Sequence, residues 1–198
     1  MSTGERSATP SVWNLPNALT VIRILLVPVF GVLLWQDTPV YRIAACAVFV
    51  LAALTDRWDG QIARKRGLIT NFGKIADSIA DKALVLTALV LLSMVGELAW
   101  WVTIVLAVRE LGITLLRFLI IRKYVMPASG GGKLKAALQM VAISILIVDW
   151  IGLFGDVGSW LRWLGLIIMY AAVVVAVVTA GDYIAKAWRI VRSGENPE

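Results

Sequence analysis

Long apolar runs dominate this chain and constrain it more than any other feature. Six of them, each about 20 residues and so able to cross a ~30 Å hydrocarbon layer, fall at about 18–35, 40–62, 74–95, 98–122, 134–154 and 158–187. Of the 198 residues, 60% are hydrophobic and only 16% charged, against about 45–50% and 25% in soluble domains. Little polar sequence is left for an extramembrane domain. The expected architecture is all-α: a polytopic bundle of six transmembrane helices behind a short N-terminal interfacial segment. Residues 1–13 read as a polar tail, 14–188 as one membrane domain and 189–198 as a second polar tail. The polar start MSTGERSATP followed by so long an apolar run does not read as a signal peptide. No internal repeat of the kind that builds inverted-repeat transporters is visible.

The connections alternate in charge. Arg57, Arg64, Lys65, Arg66 and Lys74 lie between the second and third runs, and Arg122, Lys123, Lys133 and Lys135 around the link from fourth to fifth. Lys186, Arg189 and Arg192 follow the sixth, whereas the opposite side has only Arg42 and Arg162. The positive-inside rule then sends both termini and the basic links to the cytoplasm, with the bilayer of a plasma (inner) membrane as partner. The net charge of +6 is accounted for by these loops and anionic headgroups, so nucleic acid is not an expected partner. Trp13, Trp35, Trp100, Trp101, Trp150, Trp160 and Trp188 stand near run ends, as interfacial belts require. There is no histidine, and Cys46 is the single cysteine. That excludes Ser-His-Asp chemistry, His-ligated zinc, phosphohistidine transfer, intrachain disulfides and thiolate clusters. Acid–base work falls to carboxylates, Lys or Tyr.

Carboxylates are concentrated where the second and third runs meet. On a helix Asp56, Asp59, Gly60, Ala63 and Arg64 occupy i, i+3, i+4, i+7 and i+8, a single face, and Asp77 and Asp81 are i, i+4 on the next. The turn between them brings four acids together at the edge of a low-dielectric layer, where they cannot all ionise without compensation. Protonation is one solution and ion pairing to Arg57, Arg64, Lys74 and Lys82 a second. The third is a pair of hard divalent cations, which prefer oxygen ligands and serve phosphoryl chemistry. Small residues at 60 and 63 suit close approach of a nucleotide.

The stretch DRWDGQIARKRGLITNFGKIADSIAD resembles, without a gap, the signature of the CDP-alcohol phosphotransferase family: D-x2-D-G-x2-A-R, eight residues, G-x3-D-x3-D. Its eight fixed positions are Asp56, Asp59, Gly60, Ala63, Arg64, Gly73, Asp77 and Asp81. The resemblance implies six transmembrane helices, a homodimer and two divalent cations (Mg²⁺ or Mn²⁺) held by Asp56, Asp59, Asp77 and Asp81. It further implies that Asp81 is the general base on the acceptor hydroxyl. Asn17, Thr20, Gly60, Ala63, Arg64, Thr70 and Gly73 are the implied CDP-binding positions, with CDP-diacylglycerol as donor.

For the acceptor, the residues offer Arg109, Arg117, Lys133 and Lys135. These, with Gln139 beside the two lysines at the start of the fifth run, are expected to form an anion pocket for a phosphorylated alcohol, with Glu110, Thr114 and Arg117 on one helix face (i, i+4, i+7). An unpaired arginine at 109 would be costly inside a membrane, so a carboxylate such as Glu110 or a wet cavity must meet it. The GGGKLK run lacks the spacing of a Walker A loop. NLPNALTVIRILLVP, RELGIT and GGKLKAALQMVAI are similar to the branch of the family that takes sn-glycerol 3-phosphate, over most of residues 14–185. Ser78 and Ala136 depart from that branch, which often has Pro and Thr there. Same-fold enzymes acting on phosphatidylglycerol or inositol phosphate, and a cation transporter, are the alternatives.

Overall fold

The computed structural model describes residues 15–66, 71–120 and 130–193, with side chains described over 18–55, 76–116, 132–185 and at Trp188. Among these residues all regular structure is helical. Six long helices are α1 (Leu15–Trp35), α2 (Pro39–Arg66), α3 (Asn71–Met94), α4 (Trp100–Ile120), α5 (Gly130–Ile147) and α7 (Asp156–Ser193); α6 (Trp150–Phe154) is a single short turn.

The helix ends follow local chemistry. Pro39 begins α2, where its missing N–H leaves no intrahelical bond unmade. Gly96, at φ 79°, ends α3 by letting the Glu97 and Leu98 amides turn back onto the Leu92 carbonyl. The fifth apolar run is expected to continue to 154, yet α5 stops at Ile147. Asp149 interrupts it: its carboxylate accepts the Gly152 amide at 2.9 Å and caps α6. Gly155, at φ 57°, then ends α6 and admits α7. A side-chain oxygen competing for backbone donors outweighs the hydropathy of the run. The last helix is also longer than expected, its backbone continuing to Ser193.

α1 packs on α2 and α3, α5 on α7, and α4 on α3 and α7. Phe30, Leu34, Phe49, Leu84, Leu89, Leu106, Ile143, Leu146 and Met169 form the centre, with the Phe30 and Phe49 rings 5.6 Å apart. The outer surface also carries many large apolar side chains: Leu25, Val32, Val40, Leu51, Leu115, Val157, Trp160 and Val178 are all exposed. Arg23, Arg42, Ser93, Thr103, Lys135 and Gln139 are buried. Ser93 and Thr103 share a hydrogen bond of 2.7 Å between α3 and α4, and Thr103 also donates to the Leu89 carbonyl. Polar groups turned inward and large apolar side chains outward suit a lipid solvent, in which only polar surface needs hiding. By length and hydropathy two described segments clearly suffice to span a bilayer, Ala18–Trp35 and Asp156–Ala185, with Pro39–Thr55 a shorter apolar helix.

The two ends of the bundle differ. At one end, Arg42 donates to Glu97 Oε1 (3.0 Å) and to the Ile147 and Leu146 carbonyls (2.8 and 3.2 Å). Arg162 donates to Glu97 Oε2 at 2.6 Å. One carboxylate in the α3–α4 turn thus joins the starts of α2 and α7, and Arg42 ties α2 in turn to the last turn of α5. The acids of the Asp motif belong to the other end.

Candidate active site

α3 carries Asp77 and Asp81 one helical turn apart, on the same side. Asp77 meets Arg23 of α1, whose Nη1 donates to its Oδ1 at 2.7 Å. Arg23 is 1% exposed, eight residues into an apolar helix, where a guanidinium needs a carboxylate partner. No role is expected for Arg23 from the motif, although an arginine inside VIRILLVP is itself the signal of a buried ion pair. Thr20, three residues earlier on the same helix face, is buried as well. Asp81 is exposed and lies within electrostatic reach of Glu110, Lys82, Arg23 and Asp77. Lys82, an expected counter-ion, instead turns back to Ser78 Oγ at 2.6 Å and the Ser78 carbonyl at 3.3 Å.

Asp56, Asp59, Gly60, Ala63 and Arg64 fall on the last turns of α2, and Gly73 on the first of α3, joined by a short connection. Their side chains, with those of Asn17 and Arg117, lie outside the described ones, and Thr70 lies outside the described residues. The described part of the acid set is therefore Asp77 and Asp81, and among described residues no three acidic, Cys or His side chains cluster. These two fit a hard cation: all their donors are oxygens, and Asp77 commits only Oδ1 to Arg23.

The expected anion pocket is only partly assembled, and not as an open one. Lys135 of α5, 3% exposed, donates to Glu110 Oε1 of α4. Arg109 Nη1 reaches the same oxygen at 3.1 Å, and its Nη2 donates to Thr179 Oγ1 of α7 at 3.2 Å. Thr179 spends its own proton on the Val175 carbonyl (2.7 Å), which leaves a lone pair for the guanidinium. Lys133 is exposed and points elsewhere on α5, since two residues turn a helix by about 200°. Thr114 donates to the Glu110 carbonyl of its own helix at 2.6 Å and stays out of the cluster. Thr179 is not anticipated; a threonine within VVVAVVTAG is its only trace in the sequence. Lys135 also lies within electrostatic reach of Asp81. Acids on α3 and cations on α4 and α5 thus share one wall.

Comparison with known proteins supplies the frame for this arrangement. A family model described as CDP-alcohol phosphatidyltransferase matches residues 13–180. The chain belongs to that family. It is a family of membrane-integral enzymes that use divalent metal ions. Among curated relatives of this phosphatidyltransferase, a probable phosphatidylglycerophosphate synthase of Mycobacterium tuberculosis is 42% identical over 190 residues, covering 94% of the chain and 88% of the relative. A CDP-diacylglycerol–glycerol-3-phosphate 3-phosphatidyltransferase of Rickettsia bellii is 37% identical over 174 residues (86% and 93%). One of the same name from Bacillus subtilis is 32% identical over 201 residues (92% and 99%).

Proposed function

We propose that this enzyme transfers the phosphatidyl group of CDP-diacylglycerol to sn-glycerol 3-phosphate, giving phosphatidylglycerophosphate and CMP. The observation that carries the chemistry is the shared wall: Asp81 stands exposed on α3, within electrostatic reach of Glu110 and of the buried Lys135 that Glu110 holds. A proton acceptor beside buried cations is what a phosphorylated alcohol needs. The names and extents of the relatives support the donor and the acceptor.

In this reading six helices (α1 to α5 and α7) cross the plasma membrane, with both termini and the Asp motif on the cytoplasmic side. Asp56, Asp59, Asp77 and Asp81 would hold two divalent cations, Mg²⁺ or Mn²⁺. When bound, such ions polarise phosphate oxygens and neutralise charge on the leaving group. Arg23 aims Asp77 by occupying one of its oxygens. Asn17, Thr20, Gly60, Ala63, Arg64, Thr70 and Gly73 face the CDP moiety, and the acyl chains lie among the apolar helices. Arg109 and Lys135 draw in the acceptor phosphate.

Asp81 takes the proton of the acceptor hydroxyl. The oxygen attacks the β-phosphorus of the donor, the new O–P bond forms as the bond to the CMP oxygen breaks, and CMP leaves with its charge met in part by Arg64. The enzyme is read as a homodimer. The deciding experiment offers radiolabelled CDP-diacylglycerol with sn-glycerol 3-phosphate, phosphatidylglycerol or inositol phosphate in turn. Phosphatidylglycerophosphate is the expected product, and efficient labelling of either other lipid overturns the assignment.

A further inference from the structure

Gln139 sits on α5 four residues beyond Lys135, one turn (~6 Å) farther along the same buried face. It is 2% exposed, and its Nε2 has no hydrogen-bond partner among the described residues. Arg109 Nε, on α4 beside Glu110, is likewise buried without a partner among the described residues. Two donors left unmade beside one buried lysine are unusual. In a bilayer there is no water to satisfy them, and a resting bundle gains nothing by keeping them. α4 packs on α3 and α7 and reaches α5 chiefly through the Lys135–Glu110 bridge, so the donors flank a seam spanned by side chains and not by close backbone packing.

We infer that Gln139 is a specificity-determining residue of the acceptor site, whose side-chain amide donates to a phosphate oxygen of the incoming alcohol while Arg109 Nε donates to another. The inference rests on the acceptor reading above, in which Arg109 and Lys135 receive that phosphate. The chemistry is selective: three N–H-bearing groups from two helices match a tetrahedral oxyanion with several acceptors, whereas a neutral headgroup would leave some of them unpaired. Arg109 is held in register for this role by Thr179 on α7.

The test is Gln139→Leu in the full-length enzyme, in detergent micelles containing CDP-diacylglycerol, with KM measured for each substrate at saturation of the other. Loss of one hydrogen bond to a charged oxygen is expected to raise the KM for sn-glycerol 3-phosphate ~10- to 100-fold, with the donor KM changed less than about twofold. The thermal midpoint should hold or rise, because leucine removes an unmet buried donor; a merely structural glutamine would instead lower the midpoint or shift both KM values together. Gln139→Met, closer in shape, is read in the same way if the leucine variant fails to fold. Lys135→Ala, measured in parallel, separates the two layers of the argument. An unchanged acceptor KM in Gln139→Leu beside a raised one in Lys135→Ala overturns the role of Gln139 alone. An unchanged acceptor KM in both overturns the pocket and this inference with it.

Discussion

Replacing Glu97 by alanine removes the carboxylate at the centre of the clasp far from the acids. Its two oxygens serve Arg42 Nη2 (3.0 Å) and Arg162 Nε (2.6 Å), and Arg42 is 4% exposed. Breaking a buried ion pair from one side costs about 3–5 kcal/mol, because the remaining charge stays desolvated. Two features of the site lower that figure. Asp37 Oδ1 stays 3.4 Å from Arg42 Nη1 as a second carboxylate, and the Arg162 side chain, 30% exposed, can recruit water. The Arg42 bonds to the Ile147 and Leu146 carbonyls also survive. A loss of about 2–3 kcal/mol remains, which in a chain of this length lowers the thermal midpoint by roughly 5–10 °C. The assay is thermal unfolding of purified enzyme in one detergent, paired with turnover well below the transition. Turnover should be unchanged, since Glu97 belongs to the end of the bundle opposite Asp81. A midpoint within about 1 °C of the parent would refute the reasoning, as it would mean that desolvation cancels the attraction in the intact clasp. So would a midpoint held constant while turnover falls.

Asp81→Asn keeps shape and removes the base, and is expected to lower kcat by about 10²–10⁴-fold with CDP-diacylglycerol binding retained; near-normal turnover would remove Asp81 from that role. Chelation by EDTA should abolish activity and added Mg²⁺ or Mn²⁺ restore it, and persistent activity in chelator would contradict the use proposed for the four acids. Gly158→Ala should destabilise the enzyme by about 1–3 kcal/mol. A Cβ there would lie 1.9 Å from the Trp150 carbonyl oxygen, so backbone must move at the α6–α7 corner. Gly165→Ala should cost less, because the atoms nearest its new Cβ are side-chain carbons of Ile145 and Leu146, at 2.9 Å or more, and not backbone. Equal losses in calorimetry would show that the corner is not rigid.

Much of the molecule is written locally in the chain. A helix period, a run of apolar residues and the i, i+4 spacing of Asp77 and Asp81 each concern a few consecutive residues, so helix identity and the acid motif are legible without tertiary information. Helix ends are partly so: the proline at 39 and the glycines at 96 and 155 stand where the chain turns. The break at Asp149 is not legible in this way, because hydropathy scores side chains one by one, while the cap depends on one oxygen reaching the amide of Gly152.

What the tertiary structure alone decided is partnership. Arg23 meets Asp77 across 54 residues, Arg162 meets Glu97 across 65, and Arg109 meets Thr179 across 70. Spacing along the chain carries no information about such pairs, because they depend on which helices become neighbours. In an apolar solvent nearly any outward face is tolerated, so that choice is made by the few polar side chains that must find one another inside. The same logic explains why Lys135, read from sequence as part of an anion pocket, converges on Glu110 beside Arg109, for which that carboxylate is an expected partner, and why Lys133 does not join them.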